Sequence, residues 1–149
     1  MKQNTVFNKI CSLVHPKCVV CSSKNARGLH IDYDINKDGI VRATFKCDAS
    51  LEGYPGMVHG GVISSILDGA MGNCMFACGL ATVTVEMTTK SKHPVVTERD
   101  AIVSAKITRA SHPLYLLEAE IVQCGEVKAI ATGKYYDQPK LIDSSKVDL

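Results

Sequence analysis

From Val62 to Cys78 the chain reads as a helix that is apolar almost all the way round. A helix without a polar face cannot lie on a surface, so other elements must wrap it. Apolar residues stand at 62, 63, 66, 67, 70 and 71 and run from 74 to 78. The remainder form two adjacent rows at helical spacing, Ser64–Asp68–Gly72 and Ser65–Gly69–Asn73. Together they make a narrow stripe of small or polar side chains with one charge, Asp68. A carboxylate in such a helix calls for a partner or a task. Small neighbours would let a second backbone or a slim ligand come close. The helix is expected from about Gly60 to Cys78, with Gly79 at its C′ position.

The flanking sequence supplies the wrapping. "LHIDYDI" alternates Leu29, Ile31, Tyr33 and Ile35 against polar residues, "NKDG" is a turn, and "IVRATFKCD" alternates again, which together predict a β-hairpin. "ASLEGYPG" reads as a loop with Pro55-Gly56 turn chemistry. Beyond the helix, "ATVTVEMTTKSK", "AIVSAKITRAS", "YLLEAEIVQCG" and "VKAIATGKYY" are four long strands. Two strands, one buried helix and four strands predict an α+β fold, an antiparallel sheet curled around a central helix. Residues 4 to 14 predict a short N-terminal helix, followed by the cysteine-containing loop "HPKCVVCSSKNARG". A single domain is expected over residues 1–138, with 1–28 as its N-terminal helix and loop. The tail, residues 139–149, shows no period and is expected to fray.

Composition narrows the function classes. Charged residues make up 21% and the net charge is +2, with Lys and Arg scattered rather than gathered in a stripe. No nucleic-acid surface is therefore expected. The N-terminus lacks the uninterrupted apolar core of a signal peptide, and Asp68, Asn73 and the glycines argue against a membrane span. Seven cysteines, an odd number, fit reduced thiols in a cytoplasmic protein. Cys18-x-x-Cys21, with His15 and Cys11 nearby, has the residue types of a zinc site. One such pair without a second is weak as a ligand set, so packed thiols and no metal are expected. No phosphate loop of the Walker or dinucleotide kind is present.

His59-Gly60-Gly61 opens the central helix and brings side-chain-free amides to its positive end. Such amides suit a developing oxyanion. Gly60 and Asp68 are eight residues apart, roughly 12 Å along a helix at 1.5 Å per residue. One carbonyl cannot be polarised by the first while a water held by the second attacks it. If both serve one reaction, Asp68 must come from a second, antiparallel copy of the helix. The spacing therefore predicts a homodimer with its site at the interface.

"GYPGMVHGGVISSILDGAMG" followed by "TVTVEMTTKSKHPV", with "CVVCSSKNARGLHIDYDI" upstream, resembles the hotdog-fold acyl-CoA thioesterases of the phenylacetic-acid-degradation type over residues 18 to 136. The resemblance implies a hotdog fold and hydrolysis of an acyl-CoA thioester without metal or cofactor, by homodimers often paired into tetramers. It implies that the Gly60 amide, helped by His59, binds the thioester oxygen. The partner chain's copy of Asp68 would act as general base or nucleophile, with Thr84 orienting the water or the carboxylate. Gly61, Ser64 and Ser65 would line the substrate, and Lys90, Lys92 and His93 would face the coenzyme A phosphates. Two departures stand out. Relatives often carry Asn or Gln in the loop before His-Gly-Gly, where this chain reads Leu51-Glu52-Gly53, so Glu52 or a backbone group would have to substitute. Many also carry Glu after the Asp, where Gly69 is expected to widen the acyl pocket. The alternatives are a hotdog hydratase or dehydratase, for which His59 is misplaced relative to Asp68, and a non-catalytic acyl-CoA-binding module.

Overall fold

The computed structural model describes residues 2–144, with side chains from Thr5 to Asp143. Helix α1 (Lys2–Val14) is followed by strands β1 (Asp34–Ile35) and β2 (Val41–Cys47) and a 3-10 turn (Ala49–Leu51). Helix α2 (Gly60–Ala77) comes next, then β3 (Thr82–Ser91), β4 (Arg99–Ser111), β5 (Leu114–Gln123), β6 (Glu126–Asp137) and the short α3 (Lys140–Ser144). The strands make one antiparallel sheet in the order β1-β2-β4-β5-β6-β3. It wraps α2, the hotdog arrangement.

The reason is the one legible in the helix itself. Ile63, Ile66, Leu67, Ala70, Met71, Cys74, Met75 and Phe76 are all buried, covering nearly every direction around its axis. The sheet meets them with alternating inward residues; β2, for example, buries Val41, Ala43, Phe45 and Cys47 and exposes those between. The ends of α2 are set by local chemistry. His59 Nδ1 accepts the Gly61 N–H (2.9 Å) as the N-cap. At the far end Gly79, at φ +77°, donates to Phe76 O (2.9 Å), and Leu80 donates to Met75 O (3.0 Å). That pair of bonds is a Schellman motif, and its left-handed residue favours glycine.

The predicted hairpin forms, but its first strand is short. Only Asp34 and Ile35 pair with β2. Upstream, Leu29 N–H and Ile31 N–H donate instead to Val19 O (2.7 Å) and Val20 O (2.8 Å), so residues 29–33 belong to the cysteine loop. The tail also departs from expectation. Within it, Lys140–Ser144 is helical and packs against α1. Residues 145–149, the rest of the expected frayed segment, lie outside the described residues. No described helix is long and apolar enough to cross a membrane.

Candidate active site

Two sets of groups stand at separate places on α2. The first is a cleft of about 600 Å³ at the N-terminal end, lined by His59 and Gly60, by apolar Met57, Ile63 and Val95, and by Lys92 and His93. Gly60 is exposed, and an added Cβ there would meet nothing within 4 Å. As the first residue of α2 its N–H has no acceptor within the helix. The Gly61 N–H, by contrast, is taken by His59 Nδ1. Because Nδ1 accepts, the neutral His59 ring carries its proton on Nε2, which makes it a donor. The cleft end of the helix thus offers an amide and an imidazole N–H to a polarised oxygen.

The second set surrounds Asp68, which does not line that cleft. Asp68 Oδ1 accepts from Thr84 Oγ1 (2.7 Å) and from Tyr135 Oη (2.7 Å). Thr84 and Tyr135 face each other across β3 and β6. The register shifts just after Thr84, between Thr84 and Glu86, making a bulge of the kind that re-aims a side chain. Burial, with the Asp68 charge behind it, pushes the Tyr135 hydroxyl well above its ordinary pKa, so it stays protonated and donates. Both donors lie on Oδ1; among the described residues none reaches Oδ2. Asp68 is half-buried, so Oδ2 is the oxygen free to take a proton.

Tyr135 is the member of the Asp68 cluster that sequence reasoning missed. Its signal is present in "ATGKYYD". The inward face of β6 runs 129, 131, 133, 135, and a tyrosine on that face needs something polar to meet. Gly133 makes room for it, since a Cβ there would lie 2.6 Å from Tyr135 Cε2.

The other candidate residues divide. Lys92 and His93 line the cleft, with His93 Nε2 paired to Glu126 Oε1 (2.8 Å); Lys90 is exposed on β3 outside it. Glu52 lies outside the cleft, its Oε2 accepting the Gly56 N–H (3.1 Å), so it serves its own loop. Gly61, Ser64 and Ser65 are not cleft residues either. Ser64 Oγ donates to Thr89 Oγ1 (3.5 Å), and Ser65 Oγ to Gly61 O (2.9 Å). Gly69 does not widen a pocket. It lies under the N-terminal segment, where an added Cβ would come 2.6 Å from Tyr33 Oη and 2.8 Å from Val20 Cγ1. Asn73, in the same row, is buried and donates to Gly69 O (2.7 Å) while accepting from Cys11 Sγ (3.4 Å). One row of the stripe is thus covered by the chain's own N-terminus. The Ser64–Asp68–Gly72 row is the one left toward the β3 edge.

Comparison with known proteins agrees with this fold. A model of the thioesterase superfamily matches residues 55–129. No curated protein sequence matches. Among solved structures, a thioesterase superfamily protein superposes with a TM-score of 0.74 at 25% identity, over 78% of this chain. This chain spans 61% of that protein's length. The PaaI protein of the E. coli phenylacetic acid degradation operon gives 0.73 at 22% identity, covering 89% of this chain and 96% of that one. A hypothetical thioesterase from Streptococcus pneumoniae, solved with coenzyme A, gives 0.67 at 23% identity, covering 72% and 89%. The same Streptococcus pneumoniae protein has been solved with one aspartate, and separately one threonine, replaced by alanine.

Proposed function

The chain belongs to the thioesterase superfamily, and from that premise we propose that it hydrolyses an acyl-CoA thioester to the free acid and coenzyme A in a site shared by two subunits. The observation that carries the reading is Asp68, a carboxylate fixed on one oxygen by Thr84 and Tyr135 with its other oxygen unengaged. The aspartate and threonine replaced in the Streptococcus pneumoniae thioesterase are sixteen positions apart, the separation of Asp68 and Thr84 here.

The acyl thioester lies in the cleft with its carbonyl oxygen on the Gly60 N–H and the His59 Nε2–H. Lys92 at the cleft wall supplies positive charge for the coenzyme's phosphates. Asp68 Oδ2 of the partner subunit removes a proton from water as the water oxygen bonds to the carbonyl carbon. The electron pair moves onto the carbonyl oxygen, where the helix N-terminus stabilises it. Collapse breaks the C–S bond; the thiol leaves with the proton taken up by Asp68, and the carboxylic acid is released. Thr84 and Tyr135 hold the carboxylate in the rotamer this requires.

The shared site fits the surface. β3 is an edge strand, and Val83 and Val85 are 38% and 54% exposed on it. An apolar edge of this kind is a pairing surface, and it lies beside the open Ser64–Asp68–Gly72 row. The test is Asp68→Asn against a panel of short, long and aromatic acyl-CoA esters. Loss of most turnover in a folded oligomer supports hydrolysis through Asp68. Wild-type kcat/KM on the best ester would refute it.

A further inference from the structure

Away from the cleft, the turn after α1 gathers three metal-ligating side chains. His15, Cys18 and Cys21 each offer a ligand atom, and all three atoms lie within 4.8 Å of one another. His15 Nδ1 and Cys21 Sγ are 3.6 Å apart. Two ligands on a tetrahedral zinc, at about 2.3 Å for sulfur and about 2.05 Å for nitrogen, stand about 3.5 Å apart. The His15–Cys21 pair already stands at that spacing.

The backbone holds the arrangement. His15 N–H donates to Cys11 O (2.9 Å), Cys18 N–H to His15 O (3.4 Å) and Ser22 N–H to Cys18 O (3.1 Å). Each ligand thus sits on a hydrogen-bonded turn. Val20 N–H points at Cys18 Sγ (3.3 Å), an amide dipole that favours a thiolate over a thiol. The His15 ring is set edge-on against Phe76 of α2, with centroids 4.7 Å apart and an interplanar angle of 78°. That contact fixes the ring plane while Nδ1 faces the sulfur. All three residues are half-buried, so solvent ions can reach them. Cys11 stands aside, its Sγ held by Asn73 Oδ1 (3.4 Å).

We propose that His15 Nδ1, Cys18 Sγ and Cys21 Sγ bind Zn²⁺, with the fourth coordination position filled by water. Two thiolates and an imidazole select a borderline-soft cation over magnesium or calcium. The site clips the segment that covers the outer face of α2. Val19 O and Val20 O hold Leu29 and Ile31, Val20 packs on Gly69, and Tyr33 Oη donates to Ile66 O (2.7 Å). The ion would brace this segment, and the proposal is independent of whether the protein hydrolyses thioesters. Binding displaces the thiol protons, so it weakens in acid.

The experiment uses the full-length protein purified under reducing conditions, loaded with Zn²⁺ and passed over a chelating resin. Elemental analysis is expected to give about one Zn²⁺ per chain. The Cys18→Ser/Cys21→Ser variant is expected to retain none while keeping its far-ultraviolet circular dichroism. Should that variant fail to fold, Co²⁺ loading of the wild type decides instead. A thiolate-to-cobalt charge-transfer band with tetrahedral visible bands supports the site; an octahedral spectrum without sulfur ligation overturns it. Metal-free wild type after the resin, equal zinc in the double variant, or a Cys18–Cys21 disulfide in the reduced-purified protein would each overturn it as well.

Discussion

The two-subunit site can be tested by deleting one amide. Gly60→Pro removes the N–H that the mechanism places on the thioester oxygen, and the structure tolerates it. Gly60 is the first residue of α2, where proline fits. His59 sits at φ −58° and ψ 134°, the extended conformation a residue before proline prefers. Space beside Gly60 is open, so the ring meets no neighbour at Cβ. Loss of one oxyanion donor is expected to lower kcat about 10²- to 10³-fold, or about 2.7–4 kcal/mol of transition-state stabilisation. Gly60→Ala adds a carbon but keeps the N–H, so it separates steric blockage from loss of the donor. Gly60→Pro is then co-expressed, under a second tag, with Asp68→Ala. Within one chain the two positions are about 12 Å apart along α2 and cannot meet at one carbonyl. In a statistical mixture half the dimers are mixed, and each has one intact site and one doubly defective site. The mixture is expected to recover about a quarter of wild-type turnover per chain. Because Cys78 and Cys124 are exposed and would consume a thiol reagent, the assay follows free acid by chromatography. A mixture as inactive as its parents would refute the shared site. Equal damage from Gly60→Ala would refute the role of the amide.

Three other outcomes follow from the same contacts. Tyr135→Phe keeps the buried ring and removes one donor from Asp68 Oδ1. Hydrogen bonds to charged groups contribute about 1.5–3 kcal/mol, so kcat is expected to fall about tenfold to a hundredfold. KM should change little because Tyr135 is not in the cleft, and unchanged kcat would show that the tyrosine positions nothing. Gly69→Ala drives a methyl into Tyr33 Oη and Val20 Cγ1. Overpacking costs about 1–3 kcal/mol against about 1 kcal/mol regained in helix propensity. Thermal unfolding should thus occur a few degrees lower, and a Tyr33→Phe background should restore part of the difference; an unchanged midpoint would contradict the contact. Burial pushes the Cys74 thiol from 9.0 up to about 12, so folding favours its neutral form. That contribution to stability is complete below pH 9.0 and is lost as pH rises toward about 12. In urea titrations Cys74→Ala is expected to start less stable and lose less across that window. Parallel pH profiles for the two proteins would contradict it.

The periodicities of this chain were readable because each reports burial directly. An all-round apolar helix demands a wrapping sheet, and four alternating runs after Gly79 supply it. What could not be read was the destination of each polar row, because that depends on residues far away in sequence. Ser65–Gly69–Asn73 and Ser64–Asp68–Gly72 look equivalent on a helical wheel. Only the fold shows Tyr33, Val20 and Cys11 closing over the first, while Thr84 and Tyr135 converge on the second. Glu52 was hidden for the same reason, since its Oε2 meets the Gly56 N–H four residues on and the residue lies outside the cleft. The distinction bears on mechanism. Had both rows been open, the glycines of either could have served for close approach of a second helix. With the N-terminal segment seated on Gly69, the row that holds Asp68 is the one left open to a second helix. In the proposed dimer the carboxylate and the subunit contact would then be one surface. A substitution that weakens pairing at Val83 or Val85 should cost activity in step with the loss of dimer, without any contact to the substrate.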